Sequence, residues 1–264
     1  MRKIFFVSVF LLIFFFLSST NLLFAQEKTS NDYYQDLLKN FQIYQDNLSI
    51  FNVKKSRHLS LQTVDTGVEL LDAVKNLILS EIKSMSSYTH FIRSYLAEAT
   101  LILNYQENYL YVKLDDEIVF LRLAEERAKA ISSLTEVNDF MQELALHYKT
   151  ISSMGYQVKA IVDIWSVTKI FENLKVDTDK ILNYINQTER SDQVVFAAKD
   201  KLAVLDRNIK SVDEQIKNIE KMQSKITSVN AKDTSENIKN IKIKILDEIG
   251  KVIDGYENIV LSLR

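Results

Sequence analysis

Apolar residues recur at alternating gaps of four and three from Val64 to Leu103, and this pattern constrains the fold more than any other feature. The twelve positions, of which all but Lys75 and Thr89 are apolar, are Val64, Val68, Leu71, Lys75, Ile78, Ile82, Met85, Thr89, Ile92, Leu96, Ala99 and Leu103. This spacing is that of one side of an α-helix. A second apolar stripe lies beside it, so the face is wide enough to be covered by neighbours on two sides. At 1.5 Å per residue the helix would be about 60 Å long.

The chain has no proline and only four glycines in 264 residues. A sheet protein of this size needs many turns, and turns use these two residues heavily. Apolar residues make up 47% of the chain, which is enough for a substantial core. We therefore predict an all-α fold, an elongated bundle of long antiparallel helices joined by short polar loops.

The N-terminus has the pattern of a secretory signal peptide. Arg2 and Lys3 precede an apolar run from Ile4 to Leu17, and Ala25 follows as a small residue before a polar stretch. We predict a signal peptide over residues 1–25, cleaved after Ala25, and an exported protein. The alternative is an uncleaved anchor, for which the apolar run of about 14 residues falls short of the roughly 20 that span a bilayer.

Residues 26–190 are predicted to form an N-terminal helical bundle. Asp32 is a candidate N-cap for a first helix whose aromatic stripe we expect to be buried, and the basic stretch 52–60 is predicted to be a loop. Residues 105–116 alternate like a strand, but their helical surroundings favour a helix or a turn between helices.

Two further boundaries are predicted inside this bundle. Asp115 or Asp116 is expected to cap a helix that continues to Tyr148. The stretch from Ser152 to Gly155 is predicted to be the break after that helix, with Gly155 as a candidate C-terminal cap.

Residues 191–264 are predicted to form a coiled-coil-like helical hairpin. Apolar residues from Val195 to Ile226 form a narrow heptad seam, and a matching isoleucine-rich stripe runs from Ile238 to Leu263. We expect a polar turn at 187–192 before this hairpin. A linker is predicted at 229–234, with Thr234 or Ser235 capping the last helix.

The last helix carries apolar residues outside its main stripe. These are Ile243, Leu246, Ile253 and Val260. An internal hairpin leaves some of them uncovered, so they would pack either on the first bundle or on another chain. They are our candidate partner interface.

The sequence contains no recognisable catalytic or metal-binding motif. Cysteine is absent, and His58, His90 and His147 are not spaced as metal ligands. Glu143 and His147 are interpreted as a surface charge pair, and the acidic clusters at 115–117 and 125–126 lack the glycine and alternation of a calcium loop. We expect no catalytic residues, no metal and no cofactor. The net charge of −2 gives no reason to expect nucleic acid binding.

Together these patterns predict a non-enzymatic, exported structural or adaptor protein of a bacterial cell envelope, periplasmic or on the cell surface. Abundant Ile, Asn and Lys are typical of an AT-rich bacterial genome. The expected partner is another envelope or secreted protein, with self-association through the coiled coil as an alternative, and membrane contact only through an uncleaved leader. Two other functions remain open: a surface-exposed or secreted helical binder of host or environmental ligands, and a helical-bundle ligand sensor.

Overall fold

The structure is a computed structural model that describes residues 28–99 and 105–263. The predicted signal peptide and residues 100–103 of the long apolar stripe lie outside the described residues.

Six α-helices account for nearly all of the described chain. They are α1 (Ser30–Leu61), α2 (Val64–Ala99), α3 (Tyr105–Ala130), α4 (Leu134–Gln187), α5 (Asp192–Gln223) and α6 (Ala231–Leu263). Within residues 28–99 and 105–263 there is no strand, so the all-α bundle is confirmed. Residues 105–116 are helical, as their surroundings favoured.

Helix α1 begins one turn earlier than predicted and has no break at residues 52–60. Thr29 is the N-cap, and Asp32 instead completes a capping box three residues later. The basic stretch is helical, and two of its cations reach a carboxylate on α2. Lys54 Nζ lies 2.9 Å and Arg57 Nη1 3.0 Å from Glu69 Oε2. The predicted loop is therefore wrong.

The aromatic stripe of α1 is less buried than predicted. No residue of α1 is fully buried, and Phe41 is 50% exposed. Among the described helices α1 packs against α2 alone. A single neighbouring helix covers only one side of a wide apolar stripe, so the rest of the stripe is left at the surface.

Helix α2 is central to the first half of the fold, as its two stripes predicted. It packs against α1, α3 and α4. Ile78, Ile82 and Leu96 are almost fully buried, whereas Val64 and Val68 at the start of the helix are exposed.

The break between α3 and α4 lies at residues 131–133, not at Asp115 or Asp116. Ser133 Oγ accepts a hydrogen bond from the Glu136 backbone N–H, and the Ser132 N–H donates to the Glu136 carboxylate at 2.8 Å. These bonds satisfy backbone donors at the helix start. The predicted helix from Asp115 or Asp116 to Tyr148 is therefore two helices.

Helix α4 runs without a break through Gly155, so the predicted C-terminal cap there is wrong. Gly155 does not have a positive φ. A Cβ added at this glycine would lie 2.9 Å from Cζ of Tyr88, and closer still to the hydroxyl oxygen. Gly155 therefore serves the close approach of an α2 side chain, and the helix needs no left-handed residue there.

The buried apolar residues form two clusters that divide within α4. The first combines α2, α3 and the N-terminal half of α4, up to Val162. The second combines the C-terminal part of α4 with α5 and α6. It begins at Ala160, so the two clusters overlap by one turn of the helix. The division of the chain at 190/191 stays a prediction.

Helices α5 and α6 pack against each other. Leu205 packs on Gly255, and Gln215 Nε2 donates to Glu248 Oε2 at 2.8 Å. The polar turn after Gln187 is confirmed. Coiled-coil packing of this pair stays a prediction.

The last helix begins at Ala231, earlier than predicted. The backbone carbonyl of Asn230 accepts from the Thr234 N–H at 2.9 Å, and Ser235 is buried in the first turns. Thr234 and Ser235 are therefore inside the helix, and the connecting segment is residues 224–230.

Candidate functional site

The four residues of the predicted interface lie along one flank of α6. Ile243 is 57% exposed and Ile253 45% exposed. Leu246 and Val260 are partly buried, and Leu246 packs against the second hydrophobic cluster. Among the described helices α6 packs only on α4 and α5. The flank is thus partly covered within the chain and partly open.

These residues belong to a second heptad seam that adjoins the buried one. The positions 243, 246, 250, 253, 257 and 260 are separated by gaps of three, four, three, four and three. Gly250 and Glu257 interrupt the apolar residues. No described atom lies within 4 Å of where a Cβ at Gly250 would be, so the helix backbone is accessible at that point.

An open groove of about 460 Å³ runs between the C-terminal half of α4 and this seam. It is lined by Asp177, Lys180, Ile181, Ile253, Tyr256, Glu257, Val260 and Leu261. The hydroxyls of Thr178 and Tyr256 hydrogen-bond to each other across the two helices. Burial raises the pKa of Tyr256, so the phenol is neutral at physiological pH.

Polar contacts tie α6 to α4 and to the turn that follows α4. Lys242 Nζ lies 2.8 Å from Asp163 Oδ1, and Arg190 Nε in the turn donates to the Leu263 carbonyl at 3.2 Å. The two contacts lie beyond the two ends of the groove along α6.

The charged residues noted in the sequence have partners other than those predicted. Glu143 pairs with Arg127 at 2.7 Å, and His147 Nδ1 lies 2.6 Å from the carboxylate of Glu117. The His147 ring also stacks on Phe120. The interpretation of Glu143 and His147 as each other's partners is therefore wrong.

The acidic clusters are similarly divided among ion pairs. Asp115 accepts from Arg93 at 2.6 Å, and Lys129 lies between the carboxylates of Glu125 and Glu126. In the described part of the chain no group of three His, Asp or Glu side chains is arranged to hold a metal ion.

A second concave site, which the sequence did not reveal, lies on α2 between α1 and α4. Both α1 and α4 pack on α2, but they do not pack against one another. The resulting cleft of about 380 Å³ is lined by Leu37, Phe41, Tyr44, Glu81, Ser84, Met85, Tyr88, Tyr148, Ile151 and Ser152. We call it the aromatic cleft.

Among the described residues, Glu81 is the only charged one that lines the aromatic cleft. Burial raises the pKa of its carboxyl group, and no described residue donates a hydrogen bond to it or forms an ion pair with it. Burial also raises the pKa of Tyr88 and of Tyr44, the latter with a smaller contribution from the nearby Glu81 charge. The cleft therefore combines a partly desolvated carboxyl group with neutral phenol rings.

Within residues 28–99 and 105–263, no helix has both the length and the apolar character needed to cross a membrane. Comparison with protein-family models, curated proteins and solved structures finds no match to this chain.

Proposed function

We propose that this protein is an exported, non-enzymatic adaptor of a bacterial cell envelope, which holds a helix of another protein in the groove between α4 and α6. The observation that carries the proposal is the second heptad seam of α6, whose Ile253 is exposed in the groove and whose Ile243 is exposed nearer the start of the same helix. An apolar seam with this spacing is complementary to another helix with the same spacing.

Two features, one on the seam and one in the groove, favour a helix as the occupant. Gly250 lies on the seam one turn before Ile253, and the open space there allows a second backbone to approach closely. The groove carries both signs of charge, from Asp177, Lys180 and Glu257. A helix with complementary charges would therefore bind in one preferred orientation.

In-cell crosslinking tests the proposed contact. A photo-crosslinking residue is placed at Ile253, with a matched control at Phe196, which is 66% exposed on α5 outside the groove. The expected result is a crosslink from position 253 to another protein, at a segment whose apolar residues are three and four apart, and none from position 196. The crosslink should disappear when Gly250→Trp fills the open space.

A crosslink from position 253 to a second copy of this chain would contradict the adaptor proposal and make the groove a self-association surface. Equal crosslinking from both positions would also contradict it, because the contact would then not be specific to the groove.

Export is tested separately by N-terminal sequencing of the protein recovered from cell fractions. We expect the mature chain to begin at Gln26, in a fraction outside the cytoplasm. A chain that begins at Met1 and remains in the membrane would refute the cleavage that we propose.

A further inference from the structure

The aromatic cleft brings three helices together around one carboxylate. Leu37, Phe41 and Tyr44 come from α1, Tyr88 from α2 and Tyr148 from α4. Its volume of about 380 Å³ is within the range of small-molecule sites in proteins. Among the lining residues there is no lysine, arginine or histidine to neutralise Glu81.

Two polar groups in this cleft lack a partner within the described chain. The carboxylate of Glu81 has neither a hydrogen bond nor an ion pair there, and the buried hydroxyl of Ser84 has no hydrogen-bond partner. A partly buried charge without a partner lowers the stability of the fold unless something neutralises it. Ser84 and Glu81 are both on α2, three residues apart, so one ligand can reach both.

From this geometry we propose that the aromatic cleft binds a small organic cation, an alkylated ammonium whose positive charge is neutralised by Glu81 and whose alkyl groups lie against the rings of Phe41, Tyr44, Tyr88 and Tyr148. Electron-rich ring faces attract such cations, and they retain that attraction where water is excluded. The single carboxylate beside apolar Leu37, Met85 and Ile151 does not provide the six or more oxygen ligands of a hard metal ion.

A neutral apolar ligand fits this cleft less well than a cation. It would cover Glu81 and remove its remaining water without providing a counter-charge, which costs free energy. Charge, more than shape, should therefore decide which molecules bind.

The test is isothermal titration of the purified protein with choline and with 3,3-dimethylbutanol, which has nearly the same shape but no charge. We expect saturable binding of choline and at least tenfold weaker binding of the neutral alcohol. Tetramethylammonium should bind as well, since it shares only the alkylated ammonium group.

Variants establish whether the binding is in the cleft. Glu81→Gln should weaken choline binding at least tenfold, and Tyr148→Ala should weaken it several-fold. Because Tyr148 is 57% exposed, its removal leaves the core intact and keeps the test valid even if Glu81→Gln does not fold. Glu172→Gln, an exposed glutamate on α4, is the matched control and should bind like the unaltered protein.

Three results would overturn the proposal. They are no saturable binding of either ammonium up to tens of millimolar, equal binding of choline and its neutral analogue, and choline binding that survives both cleft variants. None of these results bears on the groove between α4 and α6, so the two proposals can fail independently.

Discussion

Replacing Gly155, Gly250 or Gly255 by alanine should not change the free energy of unfolding in the same direction, although all three glycines are inside helices. In a helix interior alanine is favoured over glycine by about 1 kcal/mol. At Gly250 the new Cβ meets no described atom within 4 Å, so Gly250→Ala should stabilise the protein by about that amount.

At Gly155 the same gain is opposed by a steric conflict. The added Cβ would lie 2.9 Å from Cζ of Tyr88, which must move because the contact is shorter than van der Waals distance. Overpacking of this kind costs about 1–3 kcal/mol, so Gly155→Ala should be destabilising by about 0–2 kcal/mol. Gly255→Ala should behave similarly, because its Cβ would lie 2.6 Å from Cδ2 of Leu205.

Urea unfolding followed by circular dichroism at 222 nm measures these differences. A change of 1 kcal/mol corresponds to about 2–4 °C in melting temperature for a domain of this size. A double-mutant cycle then isolates the cause at Gly155. In a Tyr88→Ala background the ring is absent, and Gly155→Ala should become stabilising by about 1 kcal/mol.

If Gly155→Ala stays destabilising without the Tyr88 ring, the reasoning is refuted. The cost would then arise from the backbone at residue 155, as the predicted helix end would require, and α4 would not be continuous there.

Three further predictions concern shape, charge and capping. Small-angle scattering should give a radius of gyration above about 22 Å, because the 54 residues of α4 alone extend about 80 Å and a compact sphere of this size has about 18 Å; a value near 18 Å would mean that α4 is bent or broken. Glu81→Gln should raise the melting temperature at pH 7. Burial raises the pKa of Glu81 in the folded state, so the stability of the unaltered protein falls as pH rises through that pKa. The difference between the two proteins should vanish below about pH 4, the usual pKa range of an unfolded glutamate. Thr29→Ala should cost about 1 kcal/mol by removing the capping box of α1, whereas Thr29→Ser should cost little; equal losses would show that the hydroxyl does not cap the helix.

Helical periodicity was sufficient to predict the fold class and the central position of α2 in the first half of the fold. It could not predict the ends of α1. Lys54 and Arg57 stand in a stretch with few apolar residues, and their partner Glu69 is in the next helix. Tertiary contacts can override local composition, and the pattern within one helix does not reveal them.

Gly155 illustrates a different limit of sequence reasoning. A glycine after two serines is a reasonable helix terminator on propensity alone. Its actual role depends on Tyr88, 67 residues earlier in the chain, whose ring needs the space that a Cβ would fill. Only the packing of α2 against α4 distinguishes a glycine that ends a helix from one that admits a side chain.

The two concave sites differ in the same way. The α6 flank could be predicted because Ile243, Leu246, Ile253 and Val260 follow one helical spacing. The aromatic cleft could not, since Glu81 and Tyr148 come from separate helices, and the cleft exists only because α1 and α4 fail to meet.

Helix α4 is continuous and contributes residues to both sites, so a change in its tilt at one site moves the helix at the other. Ile151 lines the cleft about a third of the way along the helix, and the groove lies beside its C-terminal turns. From residue 155 to residue 187 the helix extends about 48 Å, so a tilt of about 5° at the cleft displaces its far end sideways by about 4 Å. Packed helices are about 8–10 Å apart, so a sideways shift of this size would change the width of the groove. A ligand that tilts α4 at the cleft would therefore alter which helix the groove can hold.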